Sequence, residues 1–490
     1  MKRIFIFAIV VVLIVALVSA FVVTSFVLEA NKHEEFYVGV TYCGNSTADA
    51  KLLVDKVANY TNLFVVQSGP LMTDSPAIIE IGDYAVANGL HFAVFYDTSQ
   101  IPERAQWLSN VSQRWGDMFG GVYYADEPAG KLLDTQITLV SPTTGAINKY
   151  SDGTINIRPT DSQNSYSFYP NGTIQFSTSN NTGSSQDGAD FFALNSDVTY
   201  SPDGSVTVFD SVYKFIDPLH GGGMQPISKT FYTPQNGSER IAQEPTYQQM
   251  QTYNPVPNVD VATNLFLNKT SSPLDGFSNY WNLSNRSFPI FTSDYVLYWW
   301  DYKAGYDMVL AQLGWNNTVN QEIGLARGAA NLQNKSWGTI ITWKYMQEPY
   351  LPSGNEMFEQ LRASYEAGAK YAIIFNYAEN MTGPYGTMQD EHFQALERFW
   401  GDIVKNPFTQ QGSTKADAVL VLPKDFGWGM RNPDDKIWGI WNANSTCQQI
   451  WTVLQGKLST YGAKLDIVYD DPAYPVAGKY NNIYYWNQTS

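Results

Sequence analysis

The chain has 490 residues, 44% of them hydrophobic and 15% aromatic, and its 46 acidic against 30 basic side chains give a formal charge of −16. A net charge of that sign, spread along the chain, repels a phosphate backbone and excludes nucleic acid as a partner. Two cysteines exclude a disulfide scaffold, and histidines at 33, 91, 220 and 392, without ligand spacing, supply neither a zinc site nor a Ser-His-Asp triad. No metal or cofactor is expected.

Lys2 and Arg3 precede an uncharged apolar stretch from Ile4 to Leu28, long enough to cross a hydrocarbon core of roughly 30 Å as a helix. The positive-inside rule keeps the amino end in the cytoplasm and puts everything after Glu29 outside. Residues 1–30 are therefore expected to be a retained membrane anchor holding the protein at the cell surface. Val18-Ser19-Ala20 resembles a processing site, and cleavage there would leave the same chain secreted. Fourteen Asn-x-Ser/Thr sequons, from Asn45 to Asn487, stand where chance gives about five. That excess points to an exported glycoprotein, and its density beside an uncleaved anchor fits an archaeal envelope.

Between 36 and 130 apolar strands alternate with helical stretches, the pattern of parallel strands joined by crossover helices. The strands are expected at 37–42, 63–67, 91–96 and 119–125, and the helices near 46–58, 75–88 and 102–116. From 131 to 287 the chain changes to short alternations rich in Ser, Thr, Asn and Gly. Asp152-Gly153, Asn171-Gly172 and Asp203-Gly204 each launch a β-branched run, which is turn chemistry followed by a strand and predicts an antiparallel β insertion. Four further strand and helix pairs are expected between 288 and 407, with strands at 288–294, 308–314, 338–343 and 371–377 and helices near 295–305, 320–332, 355–368 and 390–404. After a polar linker, residues 416–490 form a small α/β segment with strands at 418–423 and 464–469 around a helix at 446–461. At roughly 75 residues it is short for an independent unit and is expected to pack on its neighbour. Cys43 and Cys447 are read either as one bridge or as two buried thiols.

Four plus four strands make a (β/α)8 TIM barrel, interrupted after its fourth strand by the β insertion. In such barrels chemistry sits at the carboxyl ends of the strands. Those ends deliver Tyr42, Gln67, Asp97, Asp126 with Glu127, Asp294, Trp315, Trp343 with Lys344 and Tyr345, and Glu379, with Trp299 and Asp301 just beyond the fifth strand. A pocket so lined is acidic and aromatic. Sugars suit it, because ring faces stack on Trp and Tyr and hydroxyls bond to carboxylates and amides. Two adjacent carboxylates in a cleft of low dielectric cannot both ionise cheaply, so one is expected to keep a proton for general-acid work. Adjacent residues of a regular strand point to opposite faces; a turn before Pro128 would let Asp126 and Glu127 share one.

Ala125-Asp126-Glu127-Pro128 at the end of Phe119-Gly120-Gly121-Val122-Tyr123-Tyr124 resembles the strand-four motif of glycoside hydrolase barrels. Retaining enzymes of clan A carry Asn-Glu there, often before Pro, and a second Glu after strand seven; this chain matches only Glu127 and Pro128. The substrate-assisted hexosaminidases are more similar at this point, with an Asp-Glu pair in which Glu protonates the leaving oxygen and Asp orients the acetamido group that attacks. The resemblance implies those roles for Glu127 and Asp126, with Glu379 or Asp294 as a second carboxylate and Tyr42, Asp97, Trp299, Asp301, Trp315, Trp343, Lys344 and Tyr345 around a carbohydrate substrate. The expected function is glycosidic-bond cleavage in surface or environmental polysaccharide; the alternative is a non-catalytic glycan-binding or structural envelope protein on a degenerate barrel. His220 before three glycines is similar to an esterase oxyanion loop, but no Gly-x-Ser-x-Gly elbow accompanies it. The aromatic, charged stretch 427–441 is expected to overhang the barrel mouth.

Overall fold

A computed structural model of the chain describes residues 36–96, 112–130, 288–315, 317–378, 383–439 and 441–488 continuously, with shorter pieces at 107–110, 133–225, 259–274 and 381. The expected anchor at 4–28, Asp97, His220 and Glu379 lie outside the described residues. No helix among the described residues is long and apolar enough to cross a membrane.

Eight strands close into a parallel barrel: β1 (Tyr37–Tyr42), β2 (Leu63–Val66), β3 (His91–Tyr96), β4 (Phe119–Tyr124), β5 (Ile290–Asp294), β6 (Met308–Leu313), β7 (Ser336–Ile341) and β8 (Tyr371–Ile374). They follow one another around the ring, and β1 pairs with both β2 and β8, so no edge is left open. This is a TIM barrel, as the strand count predicts. The strands read as near-continuous apolar runs because both faces are buried, one in the barrel interior and one under the helices.

The connecting helices are α1 (Thr47–Val57), α2 (Ser75–Ala87), α3 (Tyr298–Ala304), α4 (Val319–Gln333), α5 (Gly354–Ala367) and α6 (Asp390–Phe399). Their starts use ordinary cap chemistry: the side chains of Ser46, Asp74 and Ser353 accept from the backbone N–H groups of Asp49, Ala77 and Glu356. Gly368 ends α5 in the left-handed region, as its place after the helical run predicts.

Period-two alternation sorts the barrel residues. Leu63 and Val65, Tyr123, Phe291, Met308 and Leu310, Ile340, and Tyr371 and Ile373 form the interior cluster, while Val38, Val40, Tyr42, Phe64 and Val66 belong to the larger outer core. This parity decides below which strand-end residues reach the mouth.

Within 135–225, six strands at 135–141, 145–150, 155–158, 165–168, 174–178 and 181–185 pair antiparallel in sequence order. Two separate antiparallel pairs join 198–200 to 206–208 and 215–217 to 223–225.

Beyond the barrel, β9 (Ala418–Leu422) is flanked by β10 (Leu465–Tyr469) and β11 (Asn482–Tyr485), all parallel, with α7 (Ser445–Tyr461) between β9 and β10. This segment packs on α4. The Arg327 guanidinium pairs with Asp466 at 2.7 Å, both fully desolvated, and also donates to the carbonyls of Thr414, Ala463 and Leu465. The stretch expected to overhang the mouth is instead packed inward: Trp428 and Trp438 are buried, and Trp438 lies 4.8 Å edge-on to Trp300 of α3. Its aromatics share the seam between barrel and segment with Tyr469 of β10, which lies 4.3 Å from the same Trp300 ring. Cys43 and Cys447 are both free and buried.

Candidate functional site

A cavity of about 220 Å³ opens at the carboxyl ends of the barrel strands. From β4 to β6 its wall carries Asp126, Glu127, Tyr123, Ser293 and Gln312; from the end of β6 to beyond β8 it carries Trp315, Thr342, Trp343, Phe375 and Tyr377, and β2 contributes Gln67. One arc is thus polar and acidic, the other largely aromatic.

The acid pair faces the cavity because the backbone breaks around it. Ala125 and Glu127 both adopt left-handed conformations, with φ of 50° and 54°. Such φ values are uncommon for residues with a Cβ and persist only where neighbours enforce them. Here the Ala125 carbonyl accepts from the Thr292 hydroxyl at 2.8 Å, and the Glu127 N–H donates to the Ser293 carbonyl at 2.9 Å. The reversal on each side of Asp126 cancels the alternation of a regular strand, so adjacent carboxylates line one space.

Each carboxylate has dedicated donors. Asp126 Oδ1 accepts from the Tyr123 hydroxyl at 2.6 Å and the Ser293 hydroxyl at 3.1 Å. Glu127 Oε1 accepts from Gln312 Nε2 at 2.8 Å, and the same amide reaches Ser293 Oγ at 3.0 Å. Burial, then the Asp126 charge, holds the Tyr123 hydroxyl well above the usual phenol range, so it stays a donor. The result is a preset network from β4, β5 and β6 that fixes both carboxylates without filling the cavity.

Opposite, Trp343 stacks on Tyr377 with planes 3° apart and centroids at 5.8 Å, and Trp315 stands edge-on to Trp343 at 6.2 Å. Trp315 also has left-handed φ (50°), pinned by its N–H to the Trp343 carbonyl at 2.9 Å, and its side chain remains 43% exposed. A large apolar ring held open to solvent on strained backbone suits ligand contact better than core packing.

Of the residues selected from sequence, the structure brings Gln67, Asp126, Glu127, Trp315 and Trp343 together. The others described lie elsewhere. Tyr42 is buried in the outer core, its hydroxyl donating to the Ser46 carbonyl at the start of α1. Asp294 is fully buried and receives backbone N–H groups. Trp299 packs against Tyr469 and Tyr474, and Asp301 is buried beneath the site. Lys344 is held by Glu356 of α5 at 2.7 Å, and Tyr345 is exposed.

Parity explains the misplacements. The interior positions 63 and 65, 291, 308 and 310, 340, and 371 and 373 continue into Gln67, Ser293, Gln312, Thr342, Phe375 and Tyr377. Asp294 follows one residue after the inward Ser293 and so points out; Tyr42 follows Val38 and Val40 into the outer core. Taking the last residue of each strand regardless of alternation selects Asp294 over Ser293, whereas counting by two from the apolar interior finds Ser293 and Gln312. Tyr123 is the inward residue before the acid pair and was legible by the same count.

Among the described residues no group of three or more His, Cys, Asp or Glu side chains is arranged to hold a metal ion. No protein-family model matches the chain, and no curated protein is significantly similar to it in sequence.

Proposed function

We propose that the cavity is the active site of an exported carbohydrate-cleaving enzyme. The observation that carries this reading is the joint placement of Asp126 and Glu127 on one wall and the Trp315, Trp343 and Tyr377 rings on another. Glycosidic cleavage needs a proton at the leaving oxygen and negative charge near the developing positive centre, and a pyranose needs an apolar face to lie on. Glu127 is the general acid, oriented by Gln312. Asp126, oriented by Tyr123 and Ser293, is the charge that steadies the sugar.

Asp126 and Glu127 are the only carboxylates among the described cavity-lining residues. Their proximity without a third favours substrate assistance, in which an acetamido group on the sugar attacks in place of an enzyme nucleophile, as the resemblance to hexosaminidases implies. The same observation favours the second reading, a glycan-binding protein that holds a sugar without cutting it.

Export and anchoring through residues 4–28 belong to this proposal. It is supported by the sequon asparagines Asn45, Asn59, Asn110, Asn334 and Asn487, which are all exposed. The partners are then carbohydrate at the mouth and the membrane at the amino end.

Chromogenic glycosides with and without 2-acetamido groups, assayed with the purified protein, test the proposal. Turnover confined to acetamido sugars is the expected result. Binding of oligosaccharides without turnover of any glycoside would replace the enzyme with the binding protein.

A further inference from the structure

Behind the acid pair lies a second group of acidic side chains that the mouth does not use. Asp294 at the end of β5, Asp301 on α3 and Glu322 on α4 are each at most 2% exposed. Asp294 Oδ2 accepts the Ala129 N–H at 2.8 Å, both oxygens accept the Gly130 N–H at 3.0 and 3.1 Å, and Oδ1 accepts those of Tyr295 at 2.7 Å and Val296 at 3.3 Å. Ala129 and Gly130 follow Glu127 by two and three residues. A Cβ on Gly130 would sit 2.6 Å from Asp294 Oδ1 and 2.4 Å from the Tyr295 ring, so this close approach requires glycine.

The hydrogen bonds also say where the protons are. A carboxyl receiving four backbone N–H groups is the anion of the group. Neither Asp301 oxygen meets a hydrogen-bond donor among the described residues, yet its carboxyl lies against that of Asp294. Two dry carboxyls that repel one another do not both ionise, and Asp301, with no donors to stabilise an anion, is the one that keeps its proton. Glu322 accepts from the Tyr298 hydroxyl at 2.6 Å and feels the Arg431 guanidinium, which sits 5.4 Å over the Tyr295 ring. Tyr306, whose hydroxyl donates to the Tyr124 carbonyl, Tyr302, whose hydroxyl donates to the Ser336 carbonyl, and Glu127 also face the cluster. Burial pushes the Asp294 carboxyl up to about 7 and the Glu322 carboxyl to about 8, and holds Asp301 well above the carboxylate range.

We propose that Asp294 is a positioning residue for the acid pair: its buried carboxylate clamps the turn at Ala129 and Gly130 that presents Asp126 and Glu127 to the cavity, and Asp301 supplies the proton that lets this single charge stay buried. What the clamp serves rests on the reading given under Proposed function; the clamp itself does not. Asp294 acts on Glu127 in a second way, through repulsion between their charges. A negative Asp294 favours the proton on Glu127 that a general acid must carry.

Native-state amide hydrogen exchange on the full-length protein tests the clamp without any assay of turnover. Asp294→Asn is expected to speed exchange at Ala129 and Gly130 by about tenfold or more, with β1 and β7 amides unchanged. In the same variant kcat falls more than KM changes, and the alkaline limb of the pH–rate profile moves to lower pH, which a merely structural role would not produce. Wild-type exchange at 129 and 130 in folded Asp294→Asn would overturn the clamp, and an unmoved alkaline limb would overturn the action on Glu127. Should Asp294→Asn not fold, Asp301 variants decide. Asp301→Asn keeps a donor toward Asp294 and is expected to exchange within about twofold of wild type, whereas Asp301→Leu accelerates Ala129 and Gly130. Wild-type exchange in Asp301→Leu would overturn the part given to the Asp301 proton. If the protein cleaves no glycoside, the enzymatic reading fails while the exchange result still stands or falls by itself.

Discussion

Two carboxyl clusters sit back to back at the top of this barrel, and they differ in every physical respect except residue type. The pair at the mouth, Asp126 and Glu127, is partly exposed and held by side-chain hydroxyls and an amide. The trio beneath, Asp294, Asp301 and Glu322, is dry, with Asp294 held by backbone N–H groups and Glu322 by a tyrosine hydroxyl. Side-chain donors on a mouth that opens to solvent leave room for a ligand; backbone donors in a dry interior lock a turn. A carboxylate at a barrel strand end is therefore chemistry or scaffolding according to which way its side chain points.

The largest effect that sharpens this contrast is expected from Asp126→Asn. Removing the charge that Tyr123 and Ser293 orient should lower kcat about a hundredfold, with the melting temperature nearly unchanged because the site is open. A loss of stability instead would move Asp126 into the scaffolding class.

The dry trio answers to pH through stability. Glu322 is raised by burial from 4.5 to about 8, so the folded state binds its proton more tightly than the unfolded one. Its stabilising contribution is full below about pH 4.5 and is lost as pH rises to about 8. Thermal melts of wild type and Glu322→Gln across that window should diverge. Wild type loses stability relative to the variant by up to about 1.4 kcal/mol per pH unit. Parallel curves would mean that Glu322 is hydrated.

Two smaller changes probe the mouth. Tyr123→Phe removes one of the two hydroxyl donors to Asp126 and should reduce kcat about tenfold while sparing the barrel interior, where only the ring packs. Trp315→Ala should weaken oligosaccharide binding about fivefold and leave kcat close to wild type, measured by titration and by the KM split. An effect on kcat alone would place that ring at the reacting bond.

How much of this was legible in the chain follows from the same parity. All eight barrel strands could be found from apolar runs, and most bounds fall within two residues, because buried parallel strands leave the strongest pattern a sequence carries. The site was legible where the backbone departs from regularity: Pro128 signals the turn that turns Asp126 and Glu127 the same way. Asp294 and Tyr42 are misplaced when strand ends are read without counting by two, whereas Asp301 lies on α3 and is buried there. Trp299 and the stretch 427–441 were expected at the mouth because aromatic residues serve ligands and seams alike, and only packing between α3, β10 and that stretch decides between them. The third strand of the outer sheet, Asn482–Tyr485, is short and half-exposed, and it left no alternation strong enough to read.

The most direct test is the turnover of Glu127→Gln on the best glycoside found for the wild type, alongside its melting curve. Loss of at least about a thousandfold with an unchanged melt is the predicted result, because the amide keeps the shape and the Gln312 contact but has no proton to give. Undiminished hydrolysis in that variant would contradict the assignment of the acid to residue 127.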